Sequence, residues 1–572
     1  MKILSSATQQ SPIKTFISWI RDNWFLLLCL SLLIFISFYP KIPLADLLPG
    51  YIVRLRLEDI FLLGVTIVFG VQLLRKKATL STPITWFVIA YCVIGVLSML
   101  SALFVVKTVP VEGLHIAKMF LHFARRLEYF SLFFLFYNAI QQRRHIRMVL
   151  IGLLFVLVGI SLYGFGQKYL YWPVYSTMNR EFSKGMRLVL TEHARVPSTF
   201  GGHYDMSAFV MFLLTFVLSL FFFSKKKVEK AILLIIFAMG FWLLILGSSR
   251  SSFLSYLLAV GILILLVGVY KRSLKWTIGR GFVVFAVSMG IMVTLGDLSS
   301  RFSQLGIVKQ INQQFQSIVR PLKERPSNSI AVDPLDKTDQ RPVPVATPVV
   351  ISTATESATA TGSGVAVTPV ELPPDVYKDI PDVKTVTTTE NGVTVTRVVE
   401  VPREFSECTF IYGLSACIRF ETLWPRAMNG FIRNPLVGSG PSTLTKEFRG
   451  DFTEAESTDN DFLRTAGEMG LLGVIAFYGP IALFMIRALK KVDEHRSLLI
   501  TSISFGIIAG SLGMLFNALY IDVFAASKVA FLFWSMLGIG FAALHLGEKS
   551  TEKIFVGNSQ SVSGATNSQR KK

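Results

Sequence analysis

The chain has 572 residues, of which 52% are hydrophobic and 16% charged, with mean hydropathy +0.53 and formal net charge +20. That balance excludes an ordinary soluble protein of several domains. Apolar runs of about 17 to 25 residues, the length a helix needs to cross a bilayer, recur without the alternation of a β-barrel. The expected fold class is therefore an all-α integral membrane protein with about twelve transmembrane helices.

Spans are expected near 22–40, 57–74, 84–106, 116–140, 146–166, 206–223, 230–247, 251–270 and 281–296, then at 470–489, 498–520 and 525–546. Basic clusters fall at alternate ends of these runs: "LRKK" at 74–77, "QQRRH" at 141–145, "SKKKVEK" at 224–230, "YKRSLK" at 270–275 and "RALKKVDEHR" at 487–496. The positive-inside rule makes those connections cytoplasmic. Both termini are then cytoplasmic, and a large extracytoplasmic loop, 297–469, separates spans nine and ten. Much of the positive charge is topological, so no nucleic-acid surface is expected. The first apolar run lacks a small-residue cleavage site and reads as a retained anchor.

The chain divides accordingly. Residues 1–296 carry nine spans. Within 297–323, Phe302, Leu305, Val308, Ile311, Phe315 and Ile318 recur at helical spacing and predict an amphipathic helix. Residues 324–403 are rich in Thr, Val, Pro and Ser and too poor in large apolar side chains for a core, so a flexible insertion is expected. Inside it, "KTVTTTENGVTVTRVVEV" alternates around an Asn-Gly turn and predicts a hairpin. Residues 404–469 return to helix, with one expected over 416–433. Spans ten to twelve fill 470–546, and 547–572 is expected to be a disordered cytoplasmic tail. Cys29 and Cys92 lie in spans, whereas Cys408 and Cys417 share the outer segment, where a disulfide is expected; two unrelated thiols are the alternative.

Polar groups gather at or near the expected outer boundary. In "GSSRSSFLSYL", Arg250 sits in a tight turn between apolar runs, where a guanidinium needs water, a partner or a ligand, unless it snorkels to headgroups. "HARVPSTFGGHYDMSAF" carries Arg195, His203 and Asp205 just before a span, a pattern that also suits an ordinary loop. "RFETLWPRAMNGFIRNPLVGSGPSTL" places Arg419 and Arg426 on one expected helical face near Trp424. Paired guanidiniums suit phosphate oxygens, although solvated charges on an amphipathic helix are the plainer account. Asp459, Asn460 and Glu468 put polar groups at the mouth of span ten, as base candidates or as helix caps. Arg125, Arg126 and Glu128 fall inside the fourth span and are expected to pair with each other or with a neighbouring helix.

Three of these segments resemble the O-antigen ligase and polymerase family of bacterial envelope glycosyltransferases. "GSSRSSFLSYL" is similar to its Ser-Arg-small turn. "RFETLWPRAMNGFIRNPLVGSGPSTL" is similar to its Arg, Trp, Asn-Pro, Gly-x-Gly block, and "DNDFLRTAGEMGLLG" to its His-Asn and Glu-x-Gly-x-x-Gly block; "ARVPSTFGGHYDMSAF" is a looser fit. The resemblance implies a metal-independent, cofactor-free enzyme of a bacterial cytoplasmic membrane with its site facing outside. It would move a glycan from an undecaprenyl pyrophosphate carrier to a glycan, lipid or protein acceptor. Arg250 and Arg419 would face the pyrophosphate, and Arg195, Arg426, Trp424 and Asn460 would bind substrate. The chain departs from the ligase pattern at Asp459, which stands where ligases carry His; Asp459, or failing it Glu468, would be the base. The competing class is a twelve-span transporter or polysaccharide exporter, for which related halves and midplane polar groups would be expected.

Overall fold

The computed structural model describes residues 12–48, 53–178, 182–294, 382–390, 393–401, 405–444, 457–491 and 497–568. They belong to two compact units, one of residues 1–302 and 417–572, the other of residues 303–416.

The first unit is a helical bundle. It begins with α1 (Pro12–Phe38), a small antiparallel pair β1 (Pro43–Asp46) and β2 (Arg54–Arg56), and α2 (Leu57–Leu74). Then follow α3 (Thr85–Leu100), prolonged by a π-helical turn over Ser101–Val105, α4 (Gly113–Ala139), α5 (Arg143–Tyr169), α6 (His203–Phe223), α7 (Lys227–Gly247), α8 (Arg250–Lys271) and α9 (Leu274–Thr294). In the second unit, β3 (Asp382–Glu390) pairs antiparallel with β4 (Val393–Val401), Glu390 opposite Val393, as the Asn-Gly signal predicts. A short helix, α10 (Glu407–Tyr412), follows. The amphipathic helix expected over 297–323 and most of the 324–403 insertion lie outside the described residues. Cys408 and Cys417 are both disulfide-bonded, and Cys29 and Cys92 are free.

The helix expected over 416–433 is divided. α11 (Leu414–Ile418) passes through a π turn, Arg419–Leu423, into α12 (Trp424–Arg433). A π turn takes more residues per revolution, so the seven-residue spacing of Arg419 and Arg426 no longer sets both on one face. The chain ends with α13 (Asp461–Lys491), α14 (Leu498–Asn517) and α15 (Ser527–Ser568). α15 thus runs as helix into the stretch expected to be a disordered tail, and α13 starts well before the expected residue 470.

Among the described residues, eleven helices are long and apolar enough to cross a membrane, and the chain is a multi-pass membrane protein. The expected span missing from that set is the fourth, which corresponds to α4. It has 27 residues, as α5 does, but Lys118, Arg125, Arg126 and Glu128 fall within its first sixteen and keep it out of that set. α6, α14 and α15 form the centre, with 83, 78 and 89% of their apolar windows buried, whereas α9 has 6%. Small residues let the central backbones touch. A Cβ at Gly538 of α15 would lie 2.6 Å from the Phe133 carbonyl oxygen of α4, and one at Gly513 of α14 would lie 2.9 Å from that of Ser255 on α8.

Candidate functional site

A cavity of about 500 Å³ opens where α1 and α14 finish and where α2, α6, α13 and α15 begin, with the middle of α4 along it. The basic connections at 74–77, 141–145 and 224–230 join the opposite ends of these helices.

One wall comes from the β1–β2 pair, the start of α2, and α4. Lys41 donates to the buried carboxylate of Glu58 and to Ser527 Oγ. Burial lowers the Lys41 ammonium from its ordinary value, and Glu58 opposes that shift. Arg125 holds Asp59 with two hydrogen bonds, 2.5 Å to Oδ1 and 3.2 Å to Oδ2, and reaches Glu128 Oε2 at 2.8 Å. Arg125, inside the fourth span, is therefore matched to α2, and Arg126 Nη1 donates to the Phe524 carbonyl at 3.3 Å, partners that the cost of a guanidinium in a membrane requires. Arg54 is committed to Asp46 at 2.6 Å and Ser183 at 2.5 Å. Arg56 differs. Its Nη1 stands 3.9 Å from Glu58, which Lys41 already occupies, and its buried Nε has no hydrogen-bond partner. Its position is fixed through the backbone, because the Arg56 N–H caps onto Asp59 Oδ2 at 2.9 Å.

Residues 457–460 and the loop before α15 form the facing chemistry. Asp522 accepts from Ser457 Oγ at 3.0 Å, Thr458 N–H at 2.9 Å and Arg464 Nη1 at 3.0 Å on Oδ2, and from Asn460 N–H at 2.9 Å on Oδ1. This clamp fixes the turn on which Asp459, at φ +52°, presents its carboxylate to the cavity. Asp459 Oδ2 forms an ion pair with Arg419 Nη2 at 2.9 Å. Desolvation pushes the Asp459 carboxyl above its ordinary value, with Arg419 pulling the other way.

The glycine-bearing segments support this turn from behind. Ser439 N–H donates to the Gly467 carbonyl at 2.9 Å, Gly440 N–H to that of Glu468 at 3.1 Å, and Leu471 N–H to that of Pro435 at 2.8 Å. The 434–441 strip is thus docked on α13 at its kink, Gly470, where φ is +67° and a Cβ would lie 2.3 Å from the Leu436 carbonyl carbon. Gly438, at φ +77°, meets the Glu468 backbone equally closely from the other side. Only glycine fits either position.

The structure sorts the sequence candidates. Asp459 lines the cavity, and Arg419 acts on it through the ion pair. Glu468 does not line this cavity: its Oε1 accepts from Arg464 Nε at 3.1 Å and Ser442 N–H at 3.0 Å, so it pins the docked strip. Asn460 is the cap of α13, its Oδ1 accepting from Phe462 and Leu463 N–H, each at 3.0 Å. Arg195 stands behind the lining residue Tyr204, 3.0 Å from its hydroxyl and 2.5 Å from His203 Nε2. Asp205 is in the lining. Arg250, Arg426 and Trp424 are not; Arg250 opens α8, and Trp424 packs edge-on against Phe420 at 5.0 Å. Sequence reasoning passed over Lys41, Arg54, Arg56, Ser457 and Asp522. The signal for Lys41 and the two arginines was the polar connection 41–56 between two spans, with three cations in sixteen residues. Asp522, a lone carboxylate between two apolar runs, gave an equally readable one.

No protein-family model matches the chain, and no curated protein matches it.

Proposed function

We propose that this multi-pass membrane protein is a glycan transferase of the O-antigen ligase and polymerase type. It would use a glycan on an undecaprenyl pyrophosphate carrier and an acceptor hydroxyl on the outer face of a bacterial cytoplasmic membrane. The observation that supports this reading most is a carboxylate in a cavity, Asp459, sharing the space with cations of which one, Arg56, retains an unused buried donor.

The chemistry follows from that pairing. Asp459 takes the proton of the acceptor hydroxyl, whose oxygen bonds to the anomeric carbon as the bond from that carbon to the pyrophosphate oxygen breaks. Negative charge leaves on the pyrophosphate. A guanidinium fixed beforehand stabilises that charge with two directed donors, and Arg56 is the side chain placed for it, with Lys41 adding positive charge beside it. Arg419 keeps Asp459 oriented. The mixed lining also suits a sugar, whose hydroxyls both donate and accept.

The test is the surface polysaccharide and carrier-linked precursor in cells carrying wild type, Asp459→Ala or Arg56→Ala. Loss of polymer with accumulated precursor in both variants is expected. Unchanged polysaccharide, with both variants folded and in the membrane, would sink the site and favour transport.

A further inference from the structure

Ser457 carries a hydroxyl that faces two carboxylates at once. Its Oγ stands 2.8 Å from Asp459 Oδ1 and 3.0 Å from Asp522 Oδ2, and it also accepts from the Asp459 N–H at 3.2 Å. A serine hydroxyl has one proton. With both carboxylates ionised, it can serve one of them and must turn a lone pair toward the other. With one added proton the row is complete: Asp459 Oδ1 donates to Ser457 Oγ, and Ser457 donates to Asp522 Oδ2.

The surroundings decide where that proton resides. Asp522 accepts from Arg464 on Oδ2 and from the backbone N–H groups of Thr458 and Asn460, so both of its oxygens already have donors besides Ser457. Asp459 has Arg419 on Oδ2 but only Ser457 on Oδ1. The charged groups nearest Asp459 are Arg419 from the π turn, Arg464 from α13 and Asp522 from the loop before α15, and the rest of the cavity wall adds Lys41, Arg54 and Arg56, the Arg125, Asp59 and Glu128 group, and Asp205 of α6. We propose that Asp459, Ser457 and Asp522 form a proton-sharing unit in the cavity wall, in which Ser457 and Asp522 are positioning residues that let Asp459 hold and release one proton.

In the transfer step the unit starts with both carboxylates ionised and Ser457 turned to Asp459. As the acceptor proton arrives on Oδ1, the hydroxyl rotates to Asp522, so the protonated base keeps a hydrogen bond. One proton enters, none leaves, and no other reactant is required. This use of the proton rests on the transferase reading; the sharing itself does not.

The experiment is an infrared pH titration of the purified full-length chain in nanodiscs, without donor, following the protonated-carboxyl band. The difference between wild type and Asp459→Asn isolates the Asp459 band. Ser457→Ala should lower its midpoint by about one pH unit, because the protonated row loses two hydrogen bonds and the ionised one loses a single one. Ser457→Thr should keep the wild-type midpoint. A structural role alone would leave the midpoint in place. No Asp459 band at any pH, or an unmoved midpoint in a folded Ser457→Ala, would overturn the proposal. Loss of transferase activity everywhere, with the shift present, would instead count against the enzyme reading.

Discussion

The two walls of the cavity hold similar charges and use them in opposite ways. On the α2–α4 side Glu58 is matched to Lys41 and Asp59 to Arg125 on other elements, Glu128 to Arg125 on its own helix, and one guanidinium, Arg56, keeps only a 3.9 Å approach to Glu58 and a buried Nε without a hydrogen-bond partner among the described residues. On the α13–α15 side one carboxylate, Asp522, gathers four donors from three neighbouring residues and Arg464, and one carboxylate, Asp459, is left with a single cation and a shared hydroxyl. The first arrangement makes a stiff surface with spare positive charge. The second makes a stiff turn with a carboxyl able to change its protonation. The difference teaches that a crowded polar site is read through its unspent valences, since satisfied groups are scaffold.

Removing the clamp should have the largest effect. Asp522→Ala leaves Arg464 Nη1 and two buried backbone N–H groups without their acceptor, with Arg464 Nε still on Glu468, and a destabilisation of about 4 kcal/mol or more is expected. Thermal unfolding in detergent would check it. A change under about 1 kcal/mol would show that the second wall does not depend on Asp522 as the geometry requires.

A cut at the spare cation sharpens the contrast next. Arg56→Gln removes a guanidinium whose buried Nε has no hydrogen-bond partner among the described residues and whose Nη1 only approaches Glu58 at 3.9 Å, while its backbone cap on Asp59 survives. Stability should move by less than about 0.5 kcal/mol. On the transferase proposal, the KM for a lipid-linked glycan donor should rise about tenfold to a hundredfold, the worth of a hydrogen bond to a charged group. Equal loss of stability and activity would make Arg56 scaffold like Arg125.

The smallest effect is expected at Arg250. It stands outside the lining, so Arg250→Ala should change transfer less than Arg56→Gln does in the same assay. A larger loss at Arg250 would move the anion site away from the β1–β2 corner.

Much of the fold was legible because hydrophobicity and helix length are local properties. Eleven membrane-length helices and the β3–β4 hairpin follow from composition and spacing. The exception is informative: α4, expected as the fourth span, carries too much charge to join the eleven, and its stretch with Arg125 and Glu128 lines the cavity. Asp459 and Arg419 were visible as candidates. Their pairing was not, because forty residues separate them and the π turn between Ile418 and Trp424 resets the helical phase.

By itself, then, the sequence determined a multi-pass helical membrane protein and which of its polar residues stand near the ends of spans, since burying apolar length in lipid leaves the chain little choice. It could not separate the central α6 from the peripheral α9, because lipid and protein interior are equally apolar. Only the tertiary structure decided that Glu468 and Asn460 hold the scaffold, that Asp522 fixes the turn, and that Lys41 and Arg56 share a cavity with Asp459. Each of those outcomes depends on donors and acceptors from helices far apart in the chain, where hydrogen-bond valence is spent between elements and leaves no local pattern to read.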